Sequence, residues 1–351
     1  MSKQTKDFDP NSPADLNSGI FGLPFTTDDA NIVLLPIPWD VTVSYSDGTS
    51  EGPQAILKAS SQVDLHDPLV TDAWKIGVAM DDISKKILSK NLFLRQKASA
   101  YISNLEKGIS PDTKPMQRTL KIVNEGCEEL KQTVKASTEK FLGKKKIVGL
   151  VGGDHSTPLG FIEALSEKYS AFGILQIDGH GDLRNAYEGF EYSHASIMYN
   201  ALKNSSVKKL VQVGIRDWCE EENTYINSSK GRVKTYFDHV MKHEMYEGKT
   251  WAQICSDIVS DLPQNIYLSF DIDGLDPKLC PNTGTPVPGG LEFEQAVYLI
   301  TQVVKSGKKI IGFDLNEVAP GENEWNGNVG ARLLYKMCNL AAVSNGLAKM
   351  Q

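Results

Sequence analysis

Of the 351 residues only five are cysteine (Cys127, Cys219, Cys255, Cys280, Cys338), an odd number without a Cys-x-x-Cys pairing. That argues against a zinc-finger or disulfide framework and fits a reducing, cytoplasmic compartment. No apolar run approaches the roughly 20 residues that span a bilayer, so no membrane is expected as a partner. The opening segment MSKQTKDFDPNSPADLN lacks the apolar centre of a signal peptide. Basic tracts are scarce too. The formal net charge is -7, and the longest lysine run, Lys144 to Lys146, is short and precedes an apolar stretch. Nucleic acid is therefore not an expected partner. Repeats of about 20–50 residues are absent.

What is there is a chain with 40% hydrophobic residues, enough for a substantial core. Residues 1–30 are polar and rich in turn formers, and are expected to form an N-terminal arm over the surface. Residues 31–351 read as one domain with a helical insertion around 81–145. Within that insertion, apolar residues recur at mixed spacings of 3 and 4, broken once by GISPDTKP. Elsewhere, apolar runs read as buried strands: NIVLLPIP (31–38), KIVGLV (146–151), AFGILQID (171–178), LVQVGI (210–215), NIYLSFDID (265–273) and KKIIGFDLNEV (308–318). Helical candidates at 156–169, 250–262 and 291–307 lie between them. Continuous apolar strands alternating with helices predict an α/β fold whose parallel sheet is covered on both faces.

Ligand sites in such sheets lie beyond the carboxyl ends of the strands. Four strands here end in polar groups: GGDHS after the first, DGHGD after the second, DIDGLDP after the third and DLNE after the fourth. One such ending is weak evidence, because Asp often caps a helix or starts a turn. Asp154 is expected in that cap role and Asp276 in a turn. Four endings at one sheet edge are a different matter. Alternate residues of an extended segment share a face, so Asp178, His180 and Asp182 converge, as do Asp271 and Asp273. With His155 they make four carboxylates and two imidazoles. That is too many for one tetrahedral zinc but suits two divalent ions sharing carboxylates. Four aspartates balance two such ions, and a hydroxide between them leaves about one negative charge in excess. A cationic substrate would be favoured.

The segments GGDHS, DGHGD, SHAS, SFDIDGLDP and DLNEVAPG, in this order, resemble the signature segments of the ureohydrolases, the arginase/agmatinase superfamily. PIPWDVTVSYSDGTSEGP is similar to an agmatinase-type segment. The resemblance implies a three-layer α/β/α fold with a mainly parallel central sheet and a pair of Mn²⁺ ions, with Ni²⁺, Co²⁺, Fe²⁺ or Zn²⁺ as alternatives. One ion would be held by His155, Asp178, Asp182 and Asp271, the other by Asp178, His180, Asp271 and Asp273. It also implies Asp182 as the group that orients the attacking hydroxide, Glu317 as the guanidinium-binding carboxylate, and His194 as proton donor to the leaving amine, a role suited to a near-neutral pKa. Homo-oligomers, trimers or hexamers, follow from the family alone. One departure stands out: the family usually has Asp-Ala-His where this chain has Asp178-Gly179-His180.

The substrate expected is a small guanidino compound, agmatine first, cleaved to putrescine and urea. The acids Glu188 and Glu191 in the 183–193 loop are expected to favour an ammonium tail over a carboxylate, and Trp325 is expected to line the mouth of the site. In GIRDWCEE, Cys219 stands where arginases carry an acid for the substrate's amino group. Arginine, guanidinobutyrate, free guanidine and formiminoglutamate are the alternatives. A non-catalytic relative serving as a regulatory subunit is the alternative of a different class, and no ligand is lost that would favour it.

Overall fold

The apolar runs become strands because nearly all their residues are buried, on alternating sides. The computed structural model describes residues 8–14 and 18–351. Its strands are β1 (Ile32–Pro36), β2 (Val78–Met80), β3 (Ile147–Val151), β4 (Phe172–Ile177), β5 (Val207–Ile215), β6 (Val233–Phe237), β7 (Asn265–Asp271) and β8 (Lys309–Asn316). They form one parallel sheet in the order β2-β1-β3-β8-β7-β4-β5-β6. Along β1, Ile32 and Leu34 enter the core on one face, while Val33 and Leu35 enter the core on the other. This is the period of 2 that an extended chain imposes.

Helices α1 (Gly52–Ser60), α2 (Lys85–Glu106), α3 (Lys114–Gly143), α4 (Leu159–Lys168), α5 (Ile197–Leu202), α6 (Glu220–Ser228), α7 (Asp238–Tyr246), α8 (Trp251–Asp261), α9 (Phe293–Lys305) and α10 (Trp325–Ser344) cover the sheet. Buried side chains of α1, α8, α9 and α10 pack on one face; those of α2 to α5 pack on the other. The result is the expected three-layer α/β/α sandwich. Each fully buried Leu, Ile or Phe contributes about 1.5–3 kcal/mol relative to exposure, so both helical layers are held mainly by apolar burial.

The helical stretch expected at 81–145 is α2 and α3, split at the GISPDTKP segment. The 1–30 segment departs from expectation. Ile20, Phe21 and Leu23 are fully buried, and the Phe21 ring meets Tyr335 edge-on at 4.9 Å. A short apolar run among turn formers is thus inserted into the core rather than laid over the surface. Residues 1–7 and 15–17 of the expected arm lie outside the described residues. Strands β2 and β6 were not predicted. Both are sheet edges, where a strand is half-covered and does not need a continuous apolar run.

Candidate metal centre and active site

The four strands with polar endings, β3, β8, β7 and β4, are neighbours at the centre of the sheet. After β3 the chain passes through Gly152 and Gly153 to His155. A Cβ on Gly153 would lie 1.9 Å from the Trp39 carbonyl oxygen, and one on Gly152 would lie 1.8 Å from Asn316 Oδ1. Only glycine allows this close approach, which delivers His155 to the sheet edge. The His155 backbone N–H donates to Glu317 Oε1 (2.9 Å). Its ring Nε2 lies 2.9 Å from Ser269 Oγ, and that hydroxyl donates to Asp314 Oδ1 (3.1 Å). The serine oxygen is therefore left to accept from Nε2–H. Nδ1 then faces Asp178 Oδ2 (2.9 Å), Asp182 Oδ2 (3.0 Å) and Asp271 Oδ2 (3.5 Å).

Beyond β4, Asp178 Oδ1 accepts from the His180 backbone N–H (2.6 Å), and Asp273 Oδ1 accepts from that of Gly179 (2.9 Å). His180 Nδ1 lies 3.0 Å from Asp273 Oδ2 and 3.6 Å from Asp178 Oδ1. Ligand atoms of His155, Asp178 and Asp271 fall within 4.8 Å of one another, as do those of Asp178, His180 and Asp273. Asp178 is common to both groups, one oxygen toward each. Asp182 joins the first group through His155. All six residues expected to hold metal are thus brought together. Asp182 and Glu317 also take left-handed backbone angles, φ 54° and 63°, costly for a residue with a Cβ and typical of functional sites.

The electrostatics call for cations. Asp154, Asp178, Asp182, Asp271, Asp273, Asp314 and Glu317 are all buried. Among the described residues no Lys or Arg forms an ion pair with any of their carboxylates; the ion pairs they make are with His155 and His180. Burial and the charge of Asp178 push Asp182 up to about 7, and burial pushes Asp154 up to about 7. Burial and neighbouring carboxylates raise Asp271 and Glu317 well above the usual range. Burial works against protonated His155 and His180, yet the surrounding aspartates hold both well above the usual histidine value. His155 Nδ1, Asp154 Oδ2, Asp314 Oδ2 and Glu317 Oε2 are buried without a hydrogen-bond partner. Such groups are expensive unless compensated. A proton or a cation has to sit between His155 Nδ1 and its carboxylates. Oxygen-rich ligands with two imidazoles suit divalent transition ions, so the residues fit a metal pair.

A cleft of about 380 Å³ opens over His180, Asp182 and His194. Its walls include Ser44, Tyr45, Arg184, Tyr187, Asp217 and Trp218. His194 differs from expectation in its acidity: burial, then the charges of His180 and His155, push its pKa down to about 3. Cations in the same place would push the same way. Its ring is a neutral imidazole at neutral pH.

Glu188, Glu191 and Trp325, expected at the substrate, do not line the cleft. Glu188 is half-buried beside Arg95 and Glu106, where burial raises its pKa. Glu191 is exposed, its backbone N–H bonded to Asn124 Oδ1 (3.1 Å). Trp325 is exposed and donates Nε1–H to the Lys278 carbonyl (3.0 Å). At Cys219 the acid that turns inward is Glu222, which accepts from the backbone N–H of Cys219 (2.8 Å) and of Leu183 (2.9 Å). Asp276 forms the expected turn, accepting from the Lys278 N–H (3.0 Å).

Sequence reasoning missed a polar row one pleat below the candidate ligands. Thr235, Gln212, Gln176, Ser269 and Asp314 are register partners across β6, β5, β4, β7 and β8. The signal was available: Gln176 and Ser269 stand two residues before Asp178 and Asp271, hence on the same face.

The model of the arginase family matches residues 30–339. The chain belongs to the arginase family. Among curated relatives, N(1)-aminopropylagmatine ureohydrolase of Thermus thermophilus is 28% identical over 319 residues, covering 91% of this chain and 93% of that protein. Agmatinase of Escherichia coli is 27% identical over 330 residues, covering 91% and 90%. Of solved structures, the agmatine ureohydrolase of Thermoplasma volcanium superposes with a TM-score of 0.71 at 22% identity, over 97% of this chain and 98% of that one. Arginase from Bacillus subtilis does so at 0.63 and 21%, over 88% and 98%. These superpositions place the sandwich among arginase-family folds. As an arginase-family member the chain is a hydrolase, the enzyme class its motif segments implied.

Proposed function

We propose that this arginase-family hydrolase removes urea from an alkylguanidine with a cationic tail, agmatine first, leaving putrescine. N(1)-aminopropylagmatine, named in the relatives from Thermus thermophilus, is a longer compound of the same class. The observation that carries the reading is the set of buried carboxylates around His155 Nδ1, none of them paired with Lys or Arg. His155, Asp178, His180, Asp182, Asp271 and Asp273 would hold two divalent ions, Mn²⁺ by family resemblance. Bound there, the ions compensate the aspartates and lower the pKa of a water to the neutral range.

The chain's own groups do the rest. Glu317 Oε2, buried without a partner, accepts from the guanidinium N–H groups, whose planar fork matches a carboxylate. This presents the guanidinium carbon to the activated water. Asp182 accepts a hydrogen bond from that water and orients it. His194, a neutral imidazole facing the cleft, takes a proton and passes it to the departing amine. The C–N bond to the alkyl chain breaks, giving urea and the free amine.

Asp217 supports the cationic tail. It is exposed at the cleft and forms no ion pair among the described residues, whereas Arg184 has Glu222 3.8 Å away and Tyr187 under its guanidinium. Tyr45 and Trp218, which line the cleft, offer apolar contacts for the alkyl chain. We further take residues 31–351 as one catalytic domain, cytoplasmic, and assembled as a trimer or hexamer. The test combines metal analysis with a urea-release panel: agmatine, N(1)-aminopropylagmatine, arginine, guanidinobutyrate and guanidine, plus ammonia or formamide release from formiminoglutamate. Turnover of the amine-tailed compounds by metal-loaded protein is expected. Hydrolysis of none would overturn the reading.

A further inference from the structure

We infer that Gln176, Gln212 and Thr235 form a directional hydrogen-bond relay that positions the carboxylate of Asp178, and so sets the protein's affinity for both metal ions. This rests on the metal reading proposed above. The three residues are register partners on β4, β5 and β6, and the last strand is the sheet edge. Gln176 and Gln212 are fully buried. Thr235 Oγ1 donates to Gln212 Oε1 (2.7 Å), Gln212 Nε2 donates to Gln176 Oε1 (2.7 Å), and Gln176 Nε2 donates to Asp178 Oδ2 (2.8 Å).

The acceptors at the inner end fix the direction. An ionised carboxylate only accepts, so Gln176 must turn its amide nitrogen to Asp178 and its oxygen to Gln212. Gln212 Nε2 also donates to the Gly181 carbonyl (2.7 Å), so its oxygen must face Thr235. No amide can flip without placing acceptor against acceptor. The chain ends in a donor held against Asp178, which belongs to both groups of close-lying ligand atoms. It leaves Asp178 Oδ1 to the His180 side and fixes the angle at which Oδ2 meets the His155 side. Gln176 Nε2 also reaches the His180 carbonyl (3.3 Å), tying the second group to the same amide. These are positioning residues. None lines the cleft.

The test measures Mn²⁺ binding to metal-stripped protein by calorimetry for the parent, Gln176→Leu, Thr235→Val and the double variant. Thr235 is half-buried at an edge strand, so Thr235→Val preserves shape and keeps the test independent of any folding defect in Gln176→Leu. Gln176→Leu is expected to weaken binding about 10–100-fold, the usual cost of losing an outer partner of a ligand. Thr235→Val is expected to cost less in the parent and nothing further in the Gln176→Leu background, since it acts only through the relay. Affinities unchanged in every variant, or a Thr235→Val loss of the same size in both backgrounds, would overturn the relay. A parent that binds no divalent ion would overturn the metal reading itself, and the relay with it.

Discussion

Asp178 turns one carboxylate oxygen to each half of the ligand cluster, and the one on the His155 side stands 2.9 Å from that ring's Nδ1. Removing the charge of this single residue should therefore weaken both proposed ion sites together. Asp178→Asn is expected to cut bound Mn²⁺ and urea release in parallel, by at least about 100-fold in affinity, more than loss of an outer partner costs. Elemental analysis after dialysis measures the first. Full metal content with full turnover would sink the bridging role.

Ser269 sets which nitrogen of His155 is free. Its hydroxyl is committed to Asp314, so it can only accept from Nε2–H. Ser269→Ala lets the ring take either tautomer and turn. Mn²⁺ affinity should drop about 10-fold, and Ser269→Thr, which keeps the hydroxyl, should restore most of it.

The metal-free protein should lose stability as pH rises from about 5.5 to 8. A carboxylate whose folded pKa exceeds its unfolded value binds more protons when folded, so stability falls with pH between the two values. Asp154 and Asp182 move from 3.8 to about 7 and Asp314 to about 6. His155 and His180, held above 6.5, contribute stability below that value and lose it as pH rises through their folded values. His194, pushed down to about 3, opposes this, but only below 6.5. Asp178 is lowered, against its burial, by His155 and His180, so its contribution is already complete above 3.8. The melting temperature after chelation should thus be lower at pH 8 than at pH 5.5. Mn²⁺ should raise it more at pH 8, because binding displaces protons. Equal Mn²⁺ increments at both pH values would contradict this account.

The central sheet was legible as continuous apolar runs, and the convergence of Asp178 with His180 and of Asp271 with Asp273 as alternation along an extended chain. Strands β1, β3, β4, β5, β7 and β8 read as apolar runs, and Asp178, His180 and Asp182 read as one face. The polar row beneath them was hidden by the same habit of reading. Gln176 sits between Leu175 and Ile177 inside an apolar run, and only its spacing of two residues from Asp178 puts it on that face. Loop direction was the other blind spot. Spacing puts Glu188 and Glu191 beside the site, but Asn124 bonds Gly189 and Glu191, and Phe190 packs 5.4 Å from Tyr101. These contacts draw the loop tip onto α2 and α3. Nothing local in the loop encodes that.

The same helical layer holds the other wall of the cleft. Asn91 and Arg95 are one turn apart on α2. Asn91 exchanges hydrogen bonds with Asp40 (2.7 and 2.8 Å), and Arg95 Nη1 donates to the carbonyl of Val43 (2.6 Å). Ser44 and Tyr45 follow directly. Arg95→Leu should leave metal content intact and lower kcat/KM about tenfold, chiefly through KM, because a displaced wall misplaces substrate. Steady-state kinetics with metal analysis checks this. Loss of metal with KM unchanged would place Arg95 in the wrong role.

Gly179 is the place where this chain departs from the Asp-Ala-His of its family, and its surroundings explain the glycine. A Cβ there would lie 3.0 Å from Arg216 Nη1 and 3.0 Å from Asp273 Oδ1. Neither neighbour is a free end. Arg216 Nη2 donates to the carbonyl of Asp273 (2.6 Å), Nε to that of Val287 (3.1 Å) and Nη1 to that of Gly214 (3.1 Å). Asp273 Oδ1 is fixed by the Gly179 N–H itself. An added methyl therefore pushes on a braced guanidinium and on a carboxylate proposed to hold metal. Gly179→Ala should destabilise the protein by about 1–3 kcal/mol, the usual range for overpacking. Thermal melts and Mn²⁺ calorimetry should show the loss in both stability and affinity. If alanine instead bound Mn²⁺ more tightly than glycine, Arg216 and Asp273 would have to be freer to move than their hydrogen bonds imply.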